Sequence, residues 1–285
     1  RKSKMGSAIS TPPADDAALT ADEIKAMIGE DKFDQTQFDG LAGEGNTTIT
    51  FAQLKTLFPA PEPVSEVAAP ALTSTTASIE QLQSGGIVDD LEGWECALSG
   101  SFSVAYPDGA DGGFNPGDEL PAPQTHVPPS SVSYKAEADN ASKKYTFVFT
   151  DPDAPDRTGH AFREFVHYVV SDVTAESLAA GGALEGTTVL DYLGVGAPCK
   201  SGLHRYVFLL FEQPDGSTPA SLAAAFEGRG GKKVCVAAKA AGLGPVVAAT
   251  WFQSQWDESI DAVHEGMGWL PPAEYRSPKQ EAANP

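Results

Sequence analysis

Hydrophobic and polar positions alternate with a period of two through most of the second half of the chain, and the strands this predicts set its organisation. Gly100-Ser-Phe-Ser-Val-Ala-Tyr106 alternates as a half-buried strand, and Val132-Ser-Tyr134 and Tyr145-Thr-Phe-Val-Phe149 repeat the pattern. Val166 to Val170, Thr187 to Val189 and Arg205-Tyr-Val-Phe-Leu-Leu-Phe211 extend the series, with Gly- or Pro-rich loops between them. Helical spacing is limited to Ile87 to Glu95, Ser221 to Phe226, Val234 to Ala241 and Phe252 to Met267, which are predicted as short or peripheral helices. Many strands with few helices predict a mainly antiparallel β fold.

The pattern ahead of residue 86 is different. Residues 1–18 are small, polar and Pro/Ala-rich, a composition that predicts disorder. A helical pattern then opens at Leu19-Thr20, with Thr20 or Asp22 as cap, Glu23 placed to close a capping box, and Ile24, Met27 and Ile28 at helical spacing. Phe33, Phe38 and Leu41 continue the apolar series, a loop follows through Gln53, and Leu54 to Phe58 predicts a second helical run. This order resembles a degenerate EF-hand with Ile49 at its central hydrophobic position. Calcium needs about six to eight oxygens, rich in carboxylate. The ligand positions here hold Ala42, Glu44, Asn46 and Gln53, so the 19–58 module is expected to be calcium-silent. Pro59 to Gly85 reads as a Pro/Ala/Ser/Thr linker with one helical turn at Ile79-Glu-Gln-Leu-Gln, residues 86–275 as the main domain, and 276–285 as a tail.

Composition narrows the partners. The net charge of −20, from 19 basic and 39 acidic residues, repels polyanions, so nucleic acid and anionic membrane surfaces are poor bulk partners. No run approaches the ~18 apolar residues of a membrane span. Cys96, Cys199 and Cys235 are too scattered for a disulfide framework or a thiolate zinc site, and the N-terminus lacks the apolar core of a secretory signal. The expectation is a cytoplasmic monomer without cofactor. Met5-Gly6-Ser-Ala-Ile-Ser10 matches the acylation pattern, which would add peripheral membrane association if Met5 initiates translation.

Candidate chemistry collects in two loops and one strand. Asp151-Pro-Asp153-Ala-Pro155 follows an alternating strand directly, so its prolines hold two carboxylates near a sheet edge. His167 lies mid-strand among apolar neighbours. His204 follows Gly194-Val-Gly196-Ala-Pro198-Cys-Lys-Ser-Gly202, a loop whose glycines can present backbone N–H groups to an anion. A carboxylate beside an imidazole raises its proton affinity and favours anion binding. Two further chemistries use the same residues. One is a metal held by an Asp and two His, which the loop composition suits less well than an anion. The other is a nucleophilic Ser201 or Cys199 served by His204. No Gly-x-Ser-x-Gly elbow exists, and a Ser three residues before a His on one loop is not expected to meet it in catalytic geometry.

Together these segments resemble the phosphatidylethanolamine-binding protein family, which includes the Raf kinase inhibitor proteins and the plant flowering-time regulators. The carrying motifs are Asp151-Pro-Asp-Ala-Pro-Asp-Arg157, Arg163-Glu-Phe-Val-His167, and Gly196-Ala-Pro198 through Gly202-Leu-His204-Arg-Tyr206. Leu120-Pro-Ala-Pro-Gln-Thr125, Ser131-Val-Ser-Tyr134 and Trp251-Phe-Gln-Ser-Gln-Trp256 support them. The resemblance covers about two thirds of the chain, from Ile87 to Trp269. It implies a central antiparallel sheet with a smaller second sheet, peripheral helices, and an anion pocket walled by Asp151, Asp153, Pro155, His167, Gly196, Pro198, His204 and Tyr206. The ligands it implies are phospholipid headgroups or phosphorylated residues, bound without catalysis, with a signalling protein such as a kinase as partner. A scaffold whose pocket is vestigial is the alternative. The resemblance also implies a cis Ala154–Pro155 bond. Val195, Phe252, Val166 and Asp156 depart from the family pattern, and Val195 and Phe252 are expected to alter ligand preference by removing hydroxyls from the pocket.

Overall fold

A computed structural model describes residues 18–28, 35–42, 46–50, 76–107, 114–137 and 142–284, in two compact units, 1–69 and 70–285. The predicted disorder of residues 1–17, the Met5-Gly6 pattern, Glu44 and Gln53, the Leu54 to Phe58 run and the 59–75 stretch of the linker lie outside the described residues.

In the first unit, β1 (Ala18–Thr20) runs into α1 (Ala21–Ile28), and α2 (Gln35–Ala42) precedes β2 (Thr48–Thr50). The expected cap forms at Thr20: its hydroxyl accepts the Glu23 N–H at 3.3 Å, and the Glu23 carboxylate accepts the Thr20 N–H at 2.9 Å. The two strands pair antiparallel with Leu19 opposite Ile49, and Leu19, Ile24, Phe38, Ala42 and Ile49 bury together. Asn46 donates its side-chain amide to the Ala42 carbonyl at 2.7 Å.

The second unit begins with α3 (Ile79–Ser84) and α4 (Ile87–Asp90), followed by β3 (Ser101–Ala105), a 3-10 turn (Ala122–Thr125) and β4 (Ser131–Lys135). Then come β5 (Lys144–Asp151), β6 (Phe165–Thr174), α5 (Ala175–Ala180), β7 (Thr187–Leu190) and β8 (His204–Gln213). The chain ends with α6 (Pro219–Phe226), α7 (Val234–Ala240), β9 (Val246–Ser254), α8 (Ile260–Gly266), a second 3-10 turn (Ala273–Tyr275) and α9 (Pro278–Ala283). Five strands form one antiparallel sheet in the order β7-β6-β5-β8-β9, and β3 and β4 form a smaller antiparallel pair. This is the mainly β architecture that the pattern predicts, with the smaller second sheet and peripheral helices that the family resemblance implies.

Both faces of the large sheet are buried. Phe147, Phe149, Tyr206, Phe208 and Phe252 share a core with Phe102, Val104, Val132 and Tyr134 of the small sheet. The intervening Val148, Val207, Leu209 and Phe211 pack with Leu82, Ile87, Leu222, Phe226 and Val234 from the helices. Residues of alternate parity therefore belong to different cores, as the period of a strand requires.

Several segments differ from the sequence pattern, among them the helix expected over Ile87 to Glu95, which stops at Asp90. The helix expected over Phe252 to Met267 begins only at Ile260, because Phe252 to Ser254 complete β9. With both faces buried, Val246-Val-Ala-Ala-Thr-Trp-Phe lacks polar alternation and hides its strand character. The end of the expected linker is part of the fold: Ala77 donates its N–H to the Ala249 carbonyl at 3.0 Å, and Ser78 and Gln81 form a capping box that starts α3. The expected tail contains α9, opened by a Ser277–Gln280 capping box and tied to the body through Lys200–Glu281 at 3.0 Å.

Candidate functional site

The candidate site forms where the end of β5 meets the beginning of β8. β8 opens with His204-Arg205-Tyr206, so strand alternation sends His204 and Tyr206 to one face and Arg205 to the other. The turn after β5 separates its two carboxylates in the same way. Asp151 accepts the Asp153 N–H at 2.6 Å through Oδ1 and His204 Nδ1–H at 2.8 Å through Oδ2. Asp153 turns to the opposite side. It accepts from Arg205 N–H at 2.9 Å, Nε at 2.8 Å and Nη2 at 2.6 Å. Arg205 in turn donates to Asp90 at 2.6 Å and to the Gly85 carbonyl at 2.8 Å, while Arg163 reaches Asp90 at 2.7 Å.

A cavity of about 580 Å³ opens on the Asp151–His204 side, a volume in the range of small-molecule sites. Of the eight residues the resemblance implies, Asp151, Pro155, His167, Gly196, Pro198 and His204 line it. Asp153 and Tyr206 are not on its wall. Asp153 is fully buried in the arginine cluster, and Tyr206 lies beneath the wall with its hydroxyl oxygen accepting the Gly196 N–H at 3.2 Å. The bond preceding Pro155 is cis, as is Arg163–Glu164.

The histidines have opposite electrostatic settings. His167 Nδ1–H donates to the carbonyls of Leu193 at 3.1 Å and Gly194 at 3.0 Å, which fixes its tautomer. Burial pushes its pKa down to about 4 despite the Asp151 charge, so the ring is neutral at physiological pH. At His204 burial also opposes charge, but the carboxylate of Asp151, in contact with the ring, raises the pKa above its ordinary value.

Contrary to the sequence-based expectation, Ser201 does meet His204, with Oγ 2.9 Å from Nε2, completing a Ser201–His204–Asp151 chain of contacts. The Ser201 hydroxyl donates to the Pro198 carbonyl at 2.7 Å. In that arrangement Nε2 must donate to Ser201 and the ring carries both protons. The serine thus helps hold an imidazolium, the reverse of an activated nucleophile. Ser201 does not line the cavity, and among the described residues no cluster of three His, Cys, Asp or Glu could hold a metal ion.

Three N–H groups of the glycine-bounded loop are spent within the protein rather than presented as a nest. Gly196 donates to Tyr206, Val195 to Thr125 Oγ1 at 3.3 Å, and Ser201 to the Pro198 carbonyl at 3.2 Å. The remaining walls were not anticipated from sequence. One is apolar and is built from Phe162, Phe165, Met267 and Trp269. Another is the Gly228-Arg-Gly-Gly231 segment, anchored to β6 by Val166 N–H to the Arg229 carbonyl at 3.0 Å and by Glu164–Lys232 backbone bonds. The glycine density of that segment was the available signal. His264 also lines the cavity, its ring contacting the Gly196 carbonyl at 2.9 Å and Gln280 at 3.2 Å. Burial lowers its pKa.

A family model described as phosphatidylethanolamine-binding protein matches residues 111–252. The uncharacterized protein YLR179C of Saccharomyces cerevisiae is 33% identical over 149 residues, which span 50% of this chain and 73% of the yeast protein. The chain belongs to the phosphatidylethanolamine-binding protein family. A carboxypeptidase Y inhibitor, solved in complex with its cognate proteinase, is 25% identical with a TM-score of 0.50, covering 62% of this chain and 94% of the inhibitor. The phosphatidylethanolamine-binding protein of Plasmodium vivax, at 21% identity and a TM-score of 0.54, shares the fold over 64% of this chain and its own full length (100%).

In this family member, the positions that depart from the family pattern do not line the cavity. Val195 and Phe252 are fully buried in the core shared by the two sheets, where Phe252 stacks on Tyr206 at 5.4 Å. Val166 belongs to the core on the helical face. Asp156 braces its own turn by accepting the Thr158 and Gly159 N–H groups, each at 2.7 Å, and also accepts the Tyr275 hydroxyl. The Val195 and Phe252 side chains therefore act on the cavity only through packing.

Proposed function

We propose that the protein is a non-enzymatic binder of phosphate-bearing groups, a phospholipid headgroup or a phosphorylated residue, that modulates or inhibits a signalling protein such as a kinase. The observation that carries this reading is the pairing of His204, held toward its charged form by Asp151, with His167 on the wall of one largely apolar cavity. That imidazolium attracts an anion through space, its two nitrogens being engaged by Asp151 and Ser201. Few convergent polar groups in an apolar cleft suit a ligand with a compact charged end. The role in regulation draws on family membership and on the similarity to a proteinase inhibitor. Titrating the protein with phosphoethanolamine while following the His167 and His204 ring signals by NMR tests it. Shifts of both rings support the site, and silence at millimolar ligand removes it, leaving a scaffold with a vestigial pocket.

The Ser201–His204–Asp151 contacts favour a second reading as a serine hydrolase-like centre. Its test is acyl-ester turnover that disappears in Ser201→Ala. The direction of the Ser201 hydroxyl toward Pro198 argues against it.

A further inference from the structure

The last segment of the chain is held to the domain by polar side chains. Between Pro272 and Asn284 only Ser277 and Gln280 are buried, and both are polar. Its backbone hydrogen bonds run between its own residues, as in Tyr275 N–H to the Pro272 carbonyl and Glu281 N–H to that of Ser277. We propose that Ser277 is a phosphorylation site for a proline-directed protein kinase, and that its phosphate releases this segment and loosens the cavity wall at Gly196. The modification and the release stand on the contacts of the segment itself. Only their effect on phosphate uptake rests on the cavity being the phosphate site.

A chain of hydrogen bonds joins the serine to the cavity. Ser277 Oγ donates to Asp261 Oδ2 at 2.5 Å and accepts the Gln280 N–H at 3.2 Å. The side-chain oxygen of Gln280 accepts the Ser277 N–H at 3.1 Å, and its amide nitrogen reaches His264 Nδ1 at 3.2 Å. An amide N–H donates there, so His264 Nδ1 is the bare nitrogen. Its Nε2 then carries the proton that goes to the Gly196 carbonyl at 2.9 Å. Gly196 and His264 both line the cavity. The remaining ties are Tyr275 to Asp156 and two exposed ion pairs, Lys200–Glu281 and Lys279–Glu265, of a kind that contributes little in water.

Access to Ser277 comes from the weakness of those ties. A terminal segment without buried apolar side chains opens locally far more often than the sheet does. Ser277 already holds extended backbone, with φ −72° and ψ 161°, as the proline after it requires. Opening therefore presents Arg276-Ser277-Pro278-Lys279 as an extended stretch with a free hydroxyl, the form that a kinase cleft takes up. The kinase moves the γ-phosphoryl group of a nucleoside triphosphate to Ser277 Oγ. The Oγ–P bond forms as the bridging P–O bond to the β-phosphate breaks, the hydroxyl proton passes to a carboxylate of the kinase, and the diphosphate leaves.

A phosphate placed before a helix commonly steadies it. Here the seat forbids that. The hydroxyl is received by Asp261, itself 2% exposed, whose other oxygen already accepts Trp256 Nε1–H at 3.1 Å. The phosphoester has lost the proton that Ser277 gives to Asp261 and sets nearly two negative charges against that carboxylate. Both cations of the segment are engaged elsewhere: Arg276 donates to the Pro271 and Asn284 carbonyls, and Lys279 pairs with Glu265. The modified segment therefore stays off, Gln280 leaves His264, and the wall at Gly196 loses its outer support.

Incubating the full chain with a cyclin-dependent kinase and magnesium ATP, then mapping phosphate by mass spectrometry, tests the acceptor. A synthetic peptide of residues 270–284 serves as the control for kinase recognition. The expected result is phosphate on Ser277 in the chain and in the peptide, and none on that residue in Pro278→Ala. The phosphorylated chain should exchange its Gln280 and Glu281 amide protons at least about tenfold faster and shift the His264 ring signal in NMR, with β5 and β8 unchanged. Affinity for O-phosphoethanolamine should fall by about three- to tenfold, the loss of one hydrogen bond that supports the wall. A peptide that is modified while the chain is not overturns the opening, and a peptide left unmodified overturns the acceptor. Phosphate on Ser277 with unchanged exchange and an unmoved His264 signal overturns the release. If neither form binds O-phosphoethanolamine, the phosphate reading falls, and the exchange and ring signals still decide the modification.

Discussion

Asp151 and Asp153 sit in one tight turn, two residues apart, yet they work in regions of opposite character. Asp151 is on a cavity wall, in a chain of contacts that ends at the partly exposed Ser201. Asp153, itself fully buried, is at the centre of an ion cluster with Arg205, Arg163, Arg157 and Asp90. Burial works against its charge, but the hydrogen bonds and charge of Arg205 hold its carboxyl below the usual range. The two strands contribute a matched set to each region, His204 with Asp151 and Arg205 with Asp153. A short Asp-x-Asp turn facing a His-Arg pair thus divides one motif into a part that faces the cavity and a part that fixes the loop.

The largest expected effect breaks the buried side. Arg205→Leu leaves the buried Asp153 with only the longer contacts from Arg163 and Arg157, and should destabilise the fold by about 3–5 kcal/mol in urea unfolding. A loss under 1 kcal/mol would show that the cluster is not the anchor described. Next comes the acid limb of the cavity side. His167 is neutral in the folded chain to about pH 4, while the unfolded ring binds a proton near 6.5. Stability from this source is complete above 6.5 and declines as pH falls toward 4, by about 3 kcal/mol in all. His167→Gln should flatten that limb of the stability–pH curve.

Asp151→Asn sharpens the contrast within the turn. It should lower stability at neutral pH by about 1–3 kcal/mol and drop the His204 titration midpoint, both read by NMR and denaturation. The sign is opposite to that of His167. The raised His204 pKa contributes fully below the unfolded value near 6.5 and is lost as pH rises through the folded pKa. Ser201→Ala removes one hydrogen bond to that ring, with an expected loss of about 0.5–1.5 kcal/mol and a smaller fall in the His204 midpoint. Lys200→Ala breaks the exposed pair with Glu281 and should change stability by at most about 1 kcal/mol.

Strand positions were legible wherever one face of the pattern was polar, as in β3 and β4. The β9 strand was not, because Val246 to Phe252 is buried on both sides and shows no period of its own. At the site, residue identity was readable and direction was not. Alternation across His204-Arg205-Tyr206 was available in sequence, but nothing in the letters of Asp-Pro-Asp says which carboxylate meets which partner. The chemistry of a glycine-bounded loop suggested free N–H groups, and Tyr206 on the following strand and Thr125, distant in sequence, absorb two of them. Ser201 meets His204 because the loop turns through Lys200 and Gly202, both at positive φ, a conformation that spacing alone does not disclose.

The sheet order has a consequence for how the molecule comes into being. β5 pairs along its length with β8, so Lys144 must find Gln213 across the whole of β6, α5 and β7. Pairings of such sequence separation make folding slow, since the intervening loop must be closed before its contacts form. The cavity draws on residues from Asp151 to Trp269 and is assembled only after β8 is seated and α8 has followed β9. During synthesis the cavity is therefore among the last features to exist, and a ribosome-bound chain that already displays β5 and β6 does not yet have it.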